Sequence, residues 1–207
     1  MQNIFDRAGF INRKVEKGER EGQQTYVMIS ESIYNTDVND LWDAITNKER
    51  LPRWFGQVDG DLRLDGCFQI KNNSSGTITQ CEYLKGFELT WEYAGDVSWV
   101  KAKLSIIQPD KTQLYVEHQA SAKGEHFEVY GPGAVGVGWD LWITFLNHHI
   151  ITAGSVDETA LTTPEGKNFI SNSAQSWGEA TAKAGYDREW AFSSAKSTEK
   201  FYLGEEL

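Results

Sequence analysis

One segment of the chain has the spelling of a nucleotide-binding loop. Gly131-Pro-Gly-Ala-Val-Gly136 matches the pattern GxGxxG and runs directly into a sequence that favours a helix. A dinucleotide loop needs a strand before it, a second strand after the helix and free backbone N–H groups that point at a pyrophosphate. Pro132 removes one of these donors, and the βαβ context is missing. We therefore expect a connector between a sheet and a long helix, and no cofactor.

Histidine is the residue type best suited to acid–base chemistry near neutral pH, and the chain has four. Alternation along a predicted strand places His118 on an apolar face with Leu114 and Val116, where it is either a buried structural residue or an acid or base. His148 and His149 are adjacent, so their side chains diverge by about 100° on a helix and cannot chelate one metal ion. We find no Ser-His-Asp or Cys-His arrangement, and we expect neither a metal site nor an assignable catalytic residue.

Aromatic residues are abundant, with eight Trp, eight Tyr and ten Phe. Trp and Tyr combine a large ring with a polar edge, so they either fill a core or line a cavity, and both interpretations stay open for Trp91 and Trp142. The candidate cavity residues are Trp54, Phe68, Gln80, Trp91, Tyr93, Trp99, Val116, His118, Trp142, Phe145 and His149. Among them, His118, Tyr93 and Gln80 are the expected polar contacts of a ligand.

Two cysteines, Cys67 and Cys81, fit a reducing compartment and are too few for a metal site. If Asn73-Ser-Ser75 is the tip of a hairpin, the two cysteines stand opposite each other on the outer face of the sheet. The question of a disulfide between them stays open, although a reducing compartment disfavours one.

The net charge of −10 at pH 7 argues against nucleic acid and anionic membranes as partners, because both require a positive field. No stretch approaches the roughly 18 uncharged apolar residues of a membrane span. The first nine residues contain Asp6 and no long apolar run, unlike a signal peptide. We therefore expect a cytoplasmic protein without membrane insertion.

The elements that would position these residues begin with a polar extension. Residues 1–23 predict a short helix over 14–22 and a loose connection, and Tyr26–Tyr34 is β-rich and predicts a strand. A helix follows, with an N-cap at Thr36-Asp37 and apolar residues at helical spacing at Val38, Leu41, Trp42 and Ile45. A second, shorter helix starts at Asn47 and is made irregular by Pro52, with Leu51, Trp54 and Phe55 on its inner side.

Residues 58–120 predict an antiparallel meander, because turn residues recur about every ten positions. One sheet face is apolar, and the long helix that covers it runs from Val137 to Ile151 with an inner stripe at Gly138, Trp142, Phe145 and His149. Two more helices follow, with Trp177 on the first and Trp190 on the second. We expect the glycines before the long helix to act as a hinge for a movable cavity wall.

The order of strand, two short helices, meander and long helix is that of a helix-grip fold. The segments Ser32–Asn47, Arg50-Leu-Pro-Arg-Trp-Phe55 and Gly60-Asp-Leu-Arg-Leu-Asp-Gly66 resemble the SRPBCC superfamily, and within it the branch named for the activator of heat-shock-protein-90 ATPase. Tyr130–Asp140 and Ser173–Ala180 resemble bacterial members with the same C-terminal helical extension. The similarity covers nearly the whole chain.

The resemblance implies an α+β, START-like fold, in which a curved antiparallel sheet wraps around a long helix and encloses a deep apolar cavity. In many relatives that cavity holds a lipid, hormone, polyketide or other hydrophobic molecule. We expect an N-terminal extension over 1–23, the helix-grip domain over 24–152 and a helical extension over 153–207 that packs on the domain. A shared reaction is not implied, because one fold hosts many functions.

Three functions are compatible with these observations. The first is binding of a small hydrophobic or amphipathic molecule between the sheet and the long helix. The second is an enzyme of cyclase, aromatase or hydrolase type on an aromatic or polyketide-like substrate, with His118 as acid or base. The third is an interaction module that docks a chaperone or another protein, and a homodimer is also compatible with the sequence.

Overall fold

A computed structural model describes residues 4–7 and 10–207. The fold is α+β and helix-grip-like, as the sequence predicts, with one antiparallel sheet in the order β1-β2-β8-β7-β6-β5-β4-β3. The strands are β1 (Asn12–Arg20), β2 (Gln23–Tyr34), β3 (Val58–Gly60), β4 (Cys67–Ile70), β5 (Ser75–Glu82), β6 (Gly86–Tyr93), β7 (Asp96–Gln108) and β8 (Lys111–Ser121). The helices are α1 (Val38–Thr46), α2 (Glu125–Tyr130), α3 (Gly133–Thr152), α4 (Pro164–Lys183) and α5 (Arg188–Leu203), with 3₁₀ turns at Ile4–Arg7, Leu51–Arg53 and Glu158–Thr162.

The N-terminal segment forms a strand, so the predicted short helix over 14–22 is wrong. β1 pairs antiparallel with β2, and Val15 lies opposite Met28 in the core. Glu21 and Gly22 turn the chain between the two strands, both with positive φ. Pairing along the whole of β2 outweighs the weak local preference of this charged segment. Residues 1–3 and 8–9 of the predicted extension lie outside the described residues.

The first helix begins where the cap residues predict. The Asp37 side chain accepts hydrogen bonds from the backbone N–H groups of Asn39 and Asp40, at 2.8 and 3.1 Å, and these bonds lower the pKa of that carboxyl. The predicted second helix is reduced to the 3₁₀ turn Leu51–Arg53, which contains Pro52. Trp54 joins the two elements, because its indole N–H donates to the carbonyl oxygen of Ala44 at 3.0 Å.

The meander is present, but its β4–β5 register differs from the predicted one. Cys67 pairs with Thr77, and Cys81 pairs with Phe87 on the neighbouring strand, so the two cysteines do not face each other and both thiols are free. A bulge between Ile78 and Gln80 shifts the register of β5 against β6. One extra residue moves every later side chain to the opposite face.

The long helix starts inside the glycine segment, at Gly133, and those glycines pack against the C-terminal helices. A Cβ on Gly136 would lie 2.3 Å from the Trp177 ring of α4, and a Cβ on Gly138 would lie 2.9 Å from the Tyr202 hydroxyl of α5. The expectation that Gly138 lets the helix start close to a strand is therefore wrong. These glycines permit close helix–helix contact instead.

A buried carboxylate joins the helices to the edge of the sheet. Asp140 of α3 is fully buried, and its Oδ2 accepts hydrogen bonds from Arg13 of β1 at 2.7 Å and from Ser173 and Trp177 of α4 at 2.5 and 3.0 Å. Burial raises the pKa of Asp140, and the three donors oppose that rise. Through Asp140, the helices α3 and α4 thus share a polar contact with β1 at the edge of the sheet.

Candidate functional site

An apolar cavity of about 260 Å³ lies between the sheet, α1 and the turn that follows α1. From the helical side it is lined by Trp42, Ile45, Thr46, Leu51, Trp54, Phe55 and, from α3, Trp139. From the sheet and its loops it is lined by Val58, Leu62, Phe68, Ile70, Ile78, Cys81, Phe87, Leu89, Trp91, Val100, Ala102, Leu114 and Val116. Of these residues only Cys81 is exposed, so the cavity reaches the surface beside its thiol.

No lining residue is an acid, a base or a histidine. The polar side chains in the wall are the Thr46 hydroxyl, the Cys81 thiol and the indoles of the tryptophans. Thr46 donates to the carbonyl oxygen of Trp42 at 2.7 Å, and the Trp54 N–H is held by Ala44. The wall therefore offers a ligand apolar contact and few hydrogen bonds.

Four aromatic rings form a cluster at the α3 side of the cavity: Phe55, Trp91, Trp139 and Trp142. The ring centroids of Phe55 and Trp142 are 4.6 Å apart, and those of Trp139 and Trp142 are 5.2 Å apart at 82°. Trp91 lies 6.2 Å from Trp139 and 5.9 Å from Trp142. These separations fall within the range of favourable ring pairs, so the cluster fixes this wall.

His118 lies behind the cluster and sits in a chain of hydrogen bonds. The Trp139 indole N–H donates to His118 Nδ1 at 3.0 Å, and His118 Nε2 lies 2.8 Å from Ser98 Oγ. Because Nδ1 accepts, Nε2 carries the proton and donates to Ser98, whose hydroxyl donates to the carbonyl oxygen of Trp91 at 3.1 Å. Burial lowers the pKa of His118 to about 3, so the ring is neutral.

Both nitrogens of His118 are therefore occupied, and its side chain does not line the cavity. A neutral ring without a free nitrogen is poorly placed to exchange protons with a ligand. Its contacts hold the Trp139 ring in the cavity wall. The geometry favours the structural interpretation of His118 over the acid–base one.

The predicted site residues separate into three groups. Four of them line the cavity: Trp54, Phe68, Trp91 and Val116. Trp142 and His118 contact the lining rings from behind. The remaining five, which do not line it, are Gln80, Tyr93, Trp99, Phe145 and His149.

Three of those five are on the sheet, and their predicted inward orientation is corrected by the structure. Gln80 is exposed, because the bulge before it exchanges the faces of β5 and brings Cys81 to the cavity. Tyr93 is 60% exposed at the β6–β7 turn. Trp99 lies on the outer face, where the Arg20 guanidinium is 4.0 Å from the centroid of the Trp99 ring. Trp99 also pairs across the strands with Gln119, whose side chain accepts a hydrogen bond from Arg20.

The other two are on α3 and are buried away from the cavity. Phe145 is part of the core, and His149 contacts the α1 region. Arg50 donates to His149 Nε2 at 3.1 Å and pairs with Asp40 and Asp43 at 2.8 and 3.0 Å. The predicted movable wall of Trp142, Phe145 and His149 is thus replaced by Trp139, one position outside the predicted stripe.

Several lining residues were not among the predicted ones, notably Trp42, Phe55, Phe87, Leu89 and Trp139. The first four do lie on inner faces that sequence periodicity identifies. Periodicity does not separate a residue that fills the core from one that borders a void, because both are apolar. Trp139 carries no such signal, since the predicted stripe of its helix points elsewhere.

Among the described residues, no cluster of His, Cys, Asp and Glu side chains is arranged to hold a metal ion. The helices in the described part of the chain are too short or too polar to cross a membrane.

Comparison with known proteins assigns the family. Residues 35–150 match the family model described as activator of Hsp90 ATPase homolog 1-like protein. The chain belongs to this family. The matched segment contains α1, the meander and all but the last two residues of α3, and every residue that lines the cavity lies within it. No curated protein matches the chain in sequence.

Solved structures extend the similarity beyond the matched segment. The crystal structure of CalU16 from Micromonospora echinospora is 27% identical, with a TM-score of 0.69, and the match covers 84% of this chain and 99% of that one. Its solution structure gives 25% identity, a TM-score of 0.72 and coverage of 85% and 97%. An HSP90 activator from Plasmodium falciparum shares the fold, at 19% identity, a TM-score of 0.51 and coverage of 63% and 96%.

Proposed function

We propose that this member of the Hsp90-activator-like family binds a small hydrophobic molecule in the cavity bounded by α1, the sheet and Trp139. The observation that carries the proposal is a cavity of about 260 Å³ whose wall contains no charged side chain. Apolar pockets with few polar groups are typical of sites for small molecules. An enzymatic role with His118 as acid or base gains no support, because both ring nitrogens of His118 are hydrogen-bonded. A docking role of the C-terminal helices gains none from Trp177, because this residue is buried within the fold.

The two free cysteines provide a direct test. Cys81 lines the cavity at its exposed side, whereas Cys67 is also exposed but lies outside the cavity. We expect a bound ligand to slow alkylation of Cys81 several-fold and to leave Cys67 unchanged. Mass spectrometry of the modified peptides distinguishes the two sites, and the variants Cys67→Ser and Cys81→Ser confirm the assignment.

Ligands for this test come from native mass spectrometry of the protein with a library of hydrophobic molecules. A retained molecule that also protects Cys81 supports the proposal. If no library member is retained and none alters the alkylation of Cys81, the proposal is wrong. Equal protection of Cys67 and Cys81 contradicts it as well, because a ligand in the cavity does not reach Cys67.

A further inference from the structure

The wall of the cavity also restricts the chemical class of its ligand, provided that the proposed binding function holds. We propose that the ligand is an uncharged, flat molecule of fused rings, rather than a fatty acid or another linear lipid. Three properties of the wall carry this inference: its charge, its hydrogen-bonding capacity and the arrangement of its rings.

Charge excludes ionised groups from the interior. None of the lining side chains is basic or acidic, so a carboxylate, phosphate or ammonium group inside the cavity would meet no partner of opposite sign. Transfer of an unpaired ion from water into such surroundings is strongly unfavourable. An anionic ligand could keep its charged group only at the mouth, beside Cys81.

Hydrogen bonding favours a ligand with a single neutral polar group. The indole N–H groups of Trp54 and Trp139 already donate to Ala44 and His118. The Thr46 hydroxyl donates to its own helix but keeps a lone pair free to accept a hydrogen bond. The other polar groups of the wall are the Trp42 and Trp91 indoles and the Cys81 thiol. A neutral hydroxyl, such as that of a phenol, can donate to Thr46 and accept from a group of this kind.

Ring arrangement favours a flat ligand. Trp91 meets Phe55 at 76° and Trp139 at 51°, and Trp42 meets Phe87 at 71°. Rings at such steep mutual angles border the void with both faces and edges. A flat aromatic guest can therefore stack on one ring while it meets another edge to face, whereas a flexible chain gains no comparable geometry and loses rotational freedom.

The volume sets the size of the guest. A dry apolar cavity of about 150 Å³ accommodates one benzene ring. The cavity here measures about 260 Å³, which suits a molecule of about two or three fused rings. A long acyl chain would extend out of the mouth at Cys81.

Four simple probes test the inference at pH 7: 2-naphthol, 2-naphthoate, decan-1-ol and decanoate. The naphthol and the decanol have equal numbers of non-hydrogen atoms and differ in shape, and each alcohol differs from its carboxylate in charge. Calorimetry gives the affinities, and protection of Cys81 against alkylation reports whether each probe occupies the cavity. We expect 2-naphthol to bind about tenfold more tightly than either 2-naphthoate or decan-1-ol.

The outcomes separate this inference from the proposed function. If decan-1-ol or either carboxylate binds as tightly as 2-naphthol and protects Cys81, the ligand class is wrong and the binding function stands. If none of the four probes binds or protects Cys81, the ligand class is overturned together with the support for binding.

Variants of the ring wall supply a second test. Trp91→Leu keeps the wall apolar and removes one ring, so we expect 2-naphthol to lose about tenfold in affinity and decan-1-ol less than about threefold. Phe87→Leu is a smaller change four residues away on β6, and it serves as the test variant if Trp91→Leu impairs folding; the same preferential loss for 2-naphthol is expected. Trp99→Leu is the matched control on the outer face and should leave both affinities unchanged. Equal losses for the two probes in both wall variants would overturn the inference.

Discussion

His118 illustrates how a polar residue in an apolar region acts through its neighbours. Its neutral ring accepts from Trp139 and donates to Ser98, and Ser98 in turn donates to the Trp91 backbone. This chain links α3 to strands β6, β7 and β8 at the wall of the cavity. The same contacts require His118 to stay uncharged, which makes part of the stability of the protein dependent on pH.

The first prediction concerns that dependence. The pKa of His118 is lowered from 6.5 to about 3 by burial, so below pH 6.5 the unfolded chain binds a proton that the folded protein does not. The contribution of neutral His118 to the free energy of unfolding is complete above pH 6.5. It is lost as the pH falls towards 3, by about 1.4 kcal/mol for each pH unit. In His118→Gln this component is absent.

Urea unfolding at pH 7 and pH 5 measures this contribution of His118 to stability. Between these values the natural protein should lose about 2 kcal/mol more than His118→Gln. The other histidines and the carboxyl groups are common to both proteins, so their titration cancels in the difference. A difference that does not change with pH would show that the pKa of His118 is the same in the folded and unfolded states, which contradicts the prediction.

At the scale of elements, the contact between α3 and α4 depends on a missing side chain. Gly136 leaves room for the buried Trp177 ring, and a methyl group there would lie 2.3 Å from Cε2 of that ring. The ring cannot move freely, because its N–H is held by Asp140. The second prediction is that Gly136→Ala destabilises the protein by about 1–3 kcal/mol, despite the higher helix propensity of alanine.

Gly133 is the matched control for this prediction. It lies on the same helix, its φ is ordinary and an added Cβ would meet Thr198 at 3.5 Å, which is normal contact. Gly133→Ala should therefore not destabilise the protein, and the higher helix propensity of alanine can stabilise it by up to about 1 kcal/mol. Denaturant unfolding of both variants checks the pair, and equal effects would mean that Trp177 does not determine the requirement for glycine at position 136.

The elements also show what the sequence could and could not predict. Caps and periodicity located α1, and turn spacing located the meander, because these signals are local. The strand β1 was predicted as a helix because its charged residues have no strong local preference and its structure comes from pairing with β2. Gln80 was placed on the wrong face because a bulge, which leaves no clear mark in the sequence, changed the register by one residue.

The cavity was predicted in kind but not in position. Sequence patterns place apolar residues on inner faces, yet the void depends on how closely α1 and α3 approach the sheet, which is a property of the packed molecule. The position of α3 is fixed from its other side by Asp140, Gly136 and Gly138, through contacts with residues far away in the chain. Those contacts turn Trp139, and not Trp142, into the wall.

The same contacts bear on how the whole molecule unfolds. Asp140 joins β1, α3 and α4, and the hydrophobic core includes Ile170, Ala174 and Trp177 of α4 together with residues of the sheet. We therefore propose that the C-terminal helices and the helix-grip domain form one cooperative unit. Asp140→Ala should destabilise that unit by about 3–5 kcal/mol, because it leaves Arg13, Ser173 and Trp177 without their shared acceptor.

Unfolding of Asp140→Ala followed in parallel by far-ultraviolet circular dichroism and by tryptophan fluorescence tests both statements. Coincident transitions at a lower denaturant concentration are expected, since the helices and the aromatic wall would be lost together. Gln175→Ala, an exposed change on α4, the helix that supplies Ser173 and Trp177, should leave the transition within about 0.5 kcal/mol of the natural protein. Two separate transitions in Asp140→Ala would show that α4 and α5 unfold independently of the rest of the fold.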